Sequence, residues 1–450
     1  MSLLEPLQAL AFILLIVFLG YVVLIVVPFL RRKPLAEGDP SRYQWHAFVP
    51  CRDEEAVIGT TIRSIRADFP LMHVWVIDDD SEDATADIVA GAAEADAMVH
   101  LVRRRRPMAR TGKGDALNAA YRELGGRLPV DAPRDRHIVV VVDADGRLAE
   151  NALRQAAGPS AFGDPRVGAA QVAVWMSNRD DHEPLPGRSR IAQLWGRFLN
   201  RMQDIEFRTT IAAMQSLRGH TRSVGLGGNG QFARLSALDL IADGSGEPWH
   251  GALLEDYELG IHTMLAGYRT VYLHDTHVEQ EALPSLRRLL TQRTRWCQGG
   301  MQCARYLPKI IASPNFSSSG VIEAGYFLLA PYLQLLGTIV WPIVGVATIV
   351  QGTMHTGDVM AWLLAASWIV PLVLLTGILP FAIWPIVYGT RDERRSPATI
   401  LLWAFGYWLY VYQNYVCAIR AGWRMLTGRN GWAKTRRNAE AGRALIAKEA

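Results

Sequence analysis

A stretch of 81 residues, 310–390, contains no lysine or arginine, and this constrains the fold more than any other feature of the chain. Elsewhere basic residues are common, since 47 of the 450 residues are basic. Apolar segments lie at 321–350, 359–388 and 398–419, and another lies near the N-terminus at 9–30. Each is long enough to cross a hydrocarbon core, which needs about 20 helical residues. We predict four transmembrane helices, because a helix satisfies its backbone hydrogen bonds within one segment.

Positive charge beside these segments predicts their orientation. Residues 31–33 are all basic and 391–395 contains three arginines, so both regions are expected in the cytoplasm. The expected membrane parts are an N-terminal helix within 1–33, C-terminal helices within 320–420 and a basic tail over 421–450. Four crossings put the tail outside, which conflicts with its charge. Either one segment does not cross fully, or the tail escapes the positive-inside rule.

Overall composition excludes two classes of protein. A net charge of +4 is too small for a dedicated nucleic-acid binder, and 50% hydrophobic residues exclude a long disordered chain. The four cysteines form no CxxC pair, so neither a zinc site nor a disulfide framework is indicated, and a reducing cytoplasmic setting fits. Lys113 is the only lysine between residues 34 and 308, and we therefore expect its amine to have a chemical role.

Residues 43–307 alternate between strand and helix patterns and are predicted to form one cytoplasmic α/β domain. Short β-rich runs lie at 45–49, 74–77, 97–102, 137–142 and 167–175. Helical patterns lie between them at 56–67, 85–95, 114–124 and 149–157. This order predicts a mainly parallel sheet wrapped by helices, with ligands at the carboxyl ends of the strands.

Polar side chains follow the first predicted strands. Asp53 lies in an acidic run after the first strand, where it would also suit the N-terminus of a helix. Asp78, Asp79 and Asp80 end the second strand. Because adjacent carboxylates repel and one residue would suffice as a cap, we expect them to bind ribose hydroxyls or a base N–H. The arginines at 103–106 indicate a solvated patch or a surface for anionic lipid headgroups.

Two further patterns suit a diphosphate and its cation. Lys113 lies between two glycines at the start of a helical pattern, where an ammonium group and a helix N-terminus favour a diphosphate. The spacing is not that of a Walker A loop. Asp143 and Asp145 follow the apolar run 138–142. Alternate residues of an extended segment point the same way, so both carboxylates can hold a hard divalent cation.

Two motifs complete a resemblance to a known family: Leu254-Glu255-Asp256, and Gln292-Arg293-Thr294-Arg295-Trp296, which matches Q-x-x-R-W in full. With the acidic clusters, they resemble glycosyltransferase family 2, specifically its membrane-embedded cellulose, chitin and hyaluronan synthase-like branch. The resemblance covers about residues 45–300 by motif and implies a Rossmann-like GT-A fold. The chain departs from the family at Asp80, which replaces a small residue, and at Leu254, where Thr is common.

The resemblance and the chemistry of sugar transfer together assign roles to the candidate residues. The predicted nucleotide or diphosphate contacts are Asp53, Asp79, Lys113, Asp143, Gln292 and Arg295. The predicted ligands of Mg²⁺ or Mn²⁺ are Asp145 and Asp143. The predicted catalytic residues are Asp256, the general base, and Glu255; the alternative for Asp256 is a helix N-cap. The predicted acceptor contacts are Gly228, Asn229 and Trp296; an isolated Trp would instead suggest a membrane-interface anchor.

The expected reaction follows from these groups. An acceptor hydroxyl attacks the anomeric carbon as a diphosphate departs, so a base must take a proton and cations must neutralise the leaving group. One base without a second nucleophilic carboxylate predicts inversion. We expect metal-dependent transfer of a hexose or N-acetylhexosamine from a UDP-sugar to a growing β-linked polysaccharide at the cytoplasmic membrane face. The alternatives are single transfer to a membrane lipid and, remotely, a non-catalytic transporter or scaffold.

The expected partners are a UDP-sugar, a carbohydrate or lipid acceptor and membrane lipid, without nucleic acid; a homo-oligomer is left open. Segments 191–217 and 283–307 mix apolar residues with arginines. They are predicted to be amphipathic helices that lie on the membrane surface or pack against the sheet. Four crossings are fewer than polymer synthases of the resembled family tend to have. A narrow channel for the polymer, a channel formed by a homo-oligomer, and no channel at all are therefore left open.

Overall fold

The computed structural model describes residues 4–244 and 246–429, so the predicted tail beyond Arg429 lies outside the described residues. The strands are β1 (Gln44–Cys51), β2 (His73–Asp79), β3 (Val99–Arg104), β4 (His137–Val141), β5 (Arg147–Leu148), β6 (Val167–Met176), β7 (Gln231–Arg234) and β8 (Arg269–Gln280). They form one mixed sheet in the order β3-β2-β1-β4-β7-β6-β8-β5.

Helices cover both faces of this sheet. They are α2 (Ile58–Asp68), α3 (Thr85–Ala95), α4 (Lys113–Arg127), α5 (Ala152–Ala156), α6 (Arg190–Ile205), α7 (Ala212–Thr221), α8 (Leu235–Ala242), α9 (Glu255–Leu265), α10 (Leu286–Cys303) and α11 (Leu307–Ala312). Helices α2, α3 and α5 contribute to the hydrophobic core on one face, and α4, α8 and α9 to the core on the other. The predicted α/β fold is confirmed, with β7 antiparallel to both of its neighbours.

Strands β1, β2 and β4 place the predicted acidic clusters at one edge of the sheet. The three strands run parallel, with β1 between the other two. Every residue of β4 is buried, as expected for a central strand covered on both faces. Asp79 ends β2 and Asp143 follows β4, so both lie at the carboxyl edge where ligands bind in open α/β sheets.

A row of four histidines crosses the opposite edge of the sheet, at the beginning of β4, β1, β2 and β3. His46 Nε2 lies 3.0 Å from His137 Nδ1, and His73 Nδ1 lies 3.0 Å from His100 Nε2. The rings of His46 and His73 stack with their centroids 5.3 Å apart, which joins the two pairs. Burial lowers the pKa of all four rings, well below the usual value for His46 and to about 4 for His100.

The histidine row predicts acid sensitivity of the fold. Unfolded histidines have a pKa of about 6.5, so below that pH the unfolded chain binds more protons and stability falls as the pH approaches the lower folded values. We expect the melting temperature to drop by on the order of 5 °C between about pH 7.5 and about pH 5. Scanning fluorimetry measures this; His100→Asn should reduce the drop and the exposed control His182→Asn should not. An equal drop in all three proteins would contradict the explanation.

Within the described residues, three helices are long and apolar enough to cross a membrane: Leu4–Leu30, Ser318–Thr356 and Ile369–Asp392. The first is α1 (Leu4–Leu30) and the second is α12 (Ser318–Thr356). The third includes α14 (Ile369–Val373) and α15 (Leu379–Val387), and the short α13 (Val359–Ala365) precedes it. Three of the four predicted crossings therefore have a matching helix.

The predicted fourth crossing, 398–419, is wrong as a single helix. An interruption at Tyr412 divides it into α16 (Pro397–Val411) and α17 (Gln413–Leu426), each shorter than a hydrocarbon core requires. The second of these helices has a polar contact with α10, since Arg424 Nε donates to Gln298 Oε1 at 2.6 Å. Helix α17 thus packs against α10 of the α/β domain, in part through a polar contact.

The two predicted amphipathic segments have different surroundings. On α6, Ile191, Leu194 and Trp195 are 80%, 57% and 48% exposed, which is the apolar face expected of a helix at a membrane surface. Helix α10 instead buries residues such as Leu289 and Met301 against neighbouring helices. One segment thus fits the surface prediction, and the other fits the packing alternative.

Candidate active site

A cavity of about 1220 Å³ opens at the carboxyl edge of the sheet. The predicted site residues that line it are Asp79, Lys113, Asp143, Asp145, Gly228, Asn229, Glu255, Asp256, Gln292, Arg295 and Trp296. They come from β-strand ends, from the first residues of α4 and α9, and from the middle of α10. The fold therefore brings together side chains that are as much as 217 positions apart in the sequence.

Lys113 lies at the centre of the polar part of the cavity. Its Nζ donates to Asp143 Oδ1 at 2.7 Å and to the Gly228 carbonyl at 2.6 Å. Burial alone would lower the pKa of Lys113, but the carboxylates of Asp143 and Glu255 outweigh burial and raise it. The amine is therefore charged at neutral pH, and a fixed positive charge here can neutralise an anionic leaving group.

The glycine-rich loop 225–230 passes between this cation and the predicted base. A Cβ on Gly228 would lie 3.1 Å from Lys113 Nζ and 3.2 Å from Asp256 Oδ2, closer than most side chains tolerate. The next residue, Asn229, accepts from the backbone N–H of Asp143 at 3.1 Å. The loop thus fixes the spacing between the DxD segment, the lysine and Asp256, which explains the need for glycine at position 228.

Gln171 holds this loop in place, and the sequence analysis did not select it. Its Oε1 accepts from the Gly227 N–H at 2.7 Å, and its Nε2 donates to the Asn229 carbonyl at 2.9 Å. Gln171 is buried within the largely apolar strand β6. A lone amide inside such a strand needs hydrogen-bond partners, and that is the sequence signal by which it could have been found.

Asp256 and Glu255 begin α9 and are both buried. Burial and the neighbouring Glu255 carboxylate raise the pKa of Asp256 to about 7, and burial also raises the pKa of Glu255. A carboxylate with a pKa near neutrality can accept a proton efficiently, as a general base requires. The alternative role as an N-cap does not fit, because Leu254 occupies that position.

Asp143 and Asp145 offer oxygen ligands at the end of β4. Both line the cavity, and Asp145 Oδ2 also accepts from the Glu281 N–H at 3.3 Å. Carboxylate oxygens are the donors that Mg²⁺ and Mn²⁺ prefer. The residues present therefore fit a divalent cation beside Lys113.

The acidic run at the end of β2 is neutralised by the arginine run at the end of β3. Asp79 pairs with Arg104 and accepts from the Arg110 N–H at 3.1 Å, while Asp78 pairs with Arg105 at 3.0 Å. These pairs explain how adjacent carboxylates are tolerated. They also leave the interpretation of the arginine run as a lipid-headgroup surface without support.

Asp53, a predicted nucleotide contact, lies outside the lining of the cavity. The backbone at Asp53 has a φ of 53°, and the carboxylate accepts from the Glu82 N–H at 2.8 Å. The neighbouring side chains of Arg52 and Glu54 line the cavity instead. The turn at Asp53 directs its carboxylate to backbone hydrogen bonding, and its role as a nucleotide contact stays a prediction.

The Q-x-x-R-W motif presents Gln292, Arg295 and Trp296 to the cavity from α10. The Trp296 ring packs edge-on against Phe207 at 6.2 Å, and the Arg293 guanidinium lies 4.4 Å from its centre. Arg293 in turn pairs with Glu206 at 2.6 Å. Trp296 is thus held in the cavity wall, which does not fit the alternative of an anchor at the membrane surface.

A family model described as "Glycosyltransferase like family 2" matches residues 44–299, which is more than half of the chain. The chain belongs to glycosyltransferase family 2. It is similar in structure to a mannosyltransferase from Pyrobaculum calidifontis solved in complex with GDP-Man and Mn²⁺, with a TM-score of 0.55 and 18% identity. The match covers 94% of this chain and 99% of that one, and it shows the shared fold.

Curated relatives of this glycosyltransferase carry the name beta-monoglucosyldiacylglycerol synthase. The Synechocystis sp. protein is 27% identical over 435 residues, covering 92% of this chain and 80% of that one. The Nostoc sp. protein is 30% identical over 265 residues, which cover 58% of this chain and about half, 49%, of the relative. The cellulose, chitin and hyaluronan synthase-like branch of the family is therefore not supported, whereas the family itself is.

The cavity of the glycosyltransferase continues from Asp256 into the space between the membrane helices. Its lining there comes mostly from apolar side chains: Leu14, Leu15, Phe18, Val22 and Ile25 of α1, Phe327, Ala330, Pro331 and Leu333 of α12, and Val373, Pro380, Phe381 and Trp384 of the third membrane helix. Stacking of Phe18 on Phe381 at 5.3 Å joins α1 to that helix. One continuous space thus connects the charged residues with an apolar interior.

Proposed function

We propose that this glycosyltransferase transfers a single hexose from a UDP-sugar to the hydroxyl of a membrane lipid. The observation that carries the proposal is the course of the cavity, which leads from Asp256 to apolar walls between membrane helices. Acyl chains suit such walls. Mostly apolar walls offer the hydroxyls of a sugar polymer few hydrogen-bond partners, and each unpaired hydroxyl costs free energy.

The dimensions of the apolar part also favour acyl chains. Helix α1 lines it from Leu14 to Ile25, and α12 lines it from Phe327 to Pro342. At 1.5 Å per residue these segments are about 17 and 23 Å long. A hydrocarbon core is about 30 Å thick, so the lining is long enough for the acyl chains of one leaflet.

The relatives support glucose as the sugar and diacylglycerol as the acceptor, since both words are part of their name. The alignment with the Synechocystis protein extends over 92% of this chain and so includes membrane helices as well as the catalytic domain. We therefore prefer a lipid product to the polysaccharide predicted from the sequence.

In the proposed mechanism, Asp256 takes the proton of the acceptor hydroxyl as its oxygen attacks the anomeric carbon. Lys113 and Arg295 neutralise the departing diphosphate. A cation held by Asp143 and Asp145 would supply further positive charge there. Because displacement is direct, the configuration inverts, and an α-linked UDP-sugar gives a β-glycoside.

Three crossings give a consistent orientation. The C-terminal end of α1 faces the cytoplasm. Helix α12 then crosses outward, and the third membrane helix crosses back, so the chain returns to the cytoplasmic side. The arginines at 391–395 and those of α17 then lie on the side that the positive-inside rule favours. This arrangement removes the charge conflict of four crossings and supports a cytoplasmic catalytic domain.

Filling the apolar part of the cavity tests the proposed acceptor. Leu333→Trp adds bulk to the lining of α12, and we expect it to raise the KM for dioleoylglycerol at least about tenfold through steric exclusion of the acyl chains. The KM for UDP-glucose should stay unchanged. The matched control is Ile339→Trp on the same helix, because Ile339 is 62% exposed and outside the lining. Equal lipid kinetics for both variants would contradict an acyl-chain cavity.

A further inference from the structure

A cluster of buried polar side chains lies where α1, α7 and α12 meet, next to the cavity. We call Tyr21, Arg218, Ser223 and Glu323 the boundary cluster. Arg218 Nε donates to Glu323 Oε1 at 2.7 Å, Ser223 Oγ donates to Glu323 Oε2 at 2.9 Å, and Tyr21 donates to Oε1 at 3.3 Å. On α12 the cluster precedes the apolar cavity lining, which begins at Phe327. It therefore marks the passage from the polar to the apolar part of the cavity.

Stability alone does not account for a buried ion pair in this cluster. Arg218 and Glu323 are only 5% and 4% exposed. Replacing a buried ion pair by apolar residues is often neutral or stabilising, so such a pair is weak evidence for a structural role. Glu323 lies on α12, one of the candidate membrane helices, and ionisable residues in such helices are by default candidates for function. The pair calls for a role beyond holding helices together.

Arg218 lines the cavity, and its guanidinium has a nitrogen whose N–H groups are not used in hydrogen bonds within the part of the chain that the structure describes. Among the described residues, its Nη2 has no hydrogen-bond partner and is buried. The Phe327 ring covers one face of the guanidinium, with 4.2 Å between the guanidinium carbon and the ring centre. A further ligand must therefore approach in the plane of the guanidinium, where Nη2 has its N–H groups.

Arg218 is connected to the catalytic residues through the glycine-rich loop. A Cβ on Gly225 would lie 3.3 Å from Arg218 Nη1 and 2.8 Å from the Tyr257 ring. Three residues later, Gly228 lies against Asp256. Arg218 and Asp256 also line the same cavity, so one extended lipid molecule can reach both side chains.

We propose that Arg218 binds an ester carbonyl of the acceptor lipid and so positions its free hydroxyl at Asp256. The inference rests on the proposed lipid-glycosyltransferase function and names the part of the acceptor that is recognised. Because Glu323 already balances the charge of Arg218, the site suits an uncharged ester rather than a phosphate. The carbonyl would accept from Nη2 as the acyl chains extend past Phe327 into the apolar lining.

The test compares two acceptors that differ only in the carbonyl oxygens, 1,2-dioleoylglycerol and its diether analogue, in mixed micelles with the full-length protein. A hydrogen bond from a charged donor predicts a KM about tenfold lower for the ester than for the ether with the wild type. Arg218→Lys keeps the charge facing Glu323 but removes the planar Nη2 donor. It should abolish the difference between the lipids while leaving the KM for UDP-glucose unchanged.

The controls separate this inference from the proposed function. Arg222→Lys changes an exposed arginine just after α7 and should keep the preference for the ester. Equal KM values for ester and ether with the wild type, or an ester preference that survives in Arg218→Lys, would overturn the role of Arg218. Absence of any glucosylated lipid from both acceptors with the wild type would overturn the proposed function itself.

Discussion

Replacing Asp256 by Asn should reduce kcat for lipid glucosylation by about 10³-fold, because general-base catalysis contributes about 10²–10⁴-fold. The amide keeps the size of the side chain but cannot accept a proton from the acceptor. The affinity for UDP should remain, since the nucleotide contacts are on other elements. Initial rates with UDP-[¹⁴C]glucose and dioleoylglycerol, together with UDP calorimetry, measure both quantities.

The pH dependence gives a second measure of the same residue. The raised pKa of Asp256, about 7, means that its active carboxylate form is lost as the pH falls through neutrality. The rate for the wild type should therefore decline below about pH 7, and the residual rate of Asp256→Asn should lack this acidic limb. A variant that retains wild-type turnover, or the same acidic limb, would rule out Asp256 as the base.

Replacing Lys113 by Met should lower kcat by about 10²–10³-fold, the range observed when one group that stabilises transition-state charge is removed. The effect is expected to be large because Nζ contacts both Asp143 and the Gly228 carbonyl, so its loss also leaves the half-buried Asp143 carboxylate without this cation. The Lys113 charge lowers the pKa of Asp256, and the acidic limb of the pH profile should therefore move to higher pH in the variant.

The exposed Lys309 provides the matched control for this substitution. Lys309→Met removes the same charge at a position outside the cavity lining, and its kinetics should equal those of the wild type. UDP affinity, kcat and the pH profile are measured in parallel for both variants. A pH profile in Lys113→Met that matches the wild type would contradict the electrostatic link between Lys113 and Asp256.

Most of the catalytic domain could be predicted because its strands are local apolar runs with a polar residue at each end. The run that became β4 is an example, and Asp143 after it could be placed at the carboxyl edge from the strand pattern alone. Strands β7 and β8 could not be found in this way. Strand β7 has four residues, and β8 mixes polar and apolar residues with a register shift opposite Val172 and Ala173, so neither has a clean period.

The features that the sequence did not reveal have a common physical origin in tertiary contacts. Asp53 belongs to an acidic run, and no sequence pattern reveals that its carboxylate caps the Glu82 N–H across the sheet edge. The apolar run 398–419 has the composition of a crossing, yet Arg424 joins α17 to α10 through its bond to Gln298. Nothing in the local sequence distinguishes Arg218 from other arginines. Its proposed role in binding the acceptor depends on its ion pair with Glu323, which is 105 positions away.

The chemical nature of the product distinguishes lipid glycosylation from polysaccharide synthesis. Purified full-length protein is incubated with UDP-[¹⁴C]glucose, dioleoylglycerol micelles and Mg²⁺ or Mn²⁺, and the products are extracted and separated by thin-layer chromatography. We expect one organic-soluble β-glucosyl lipid, formed by the wild type and absent with Asp256→Asn. Radioactive material that stays at the chromatographic origin as polymer, with no glucolipid, would contradict it.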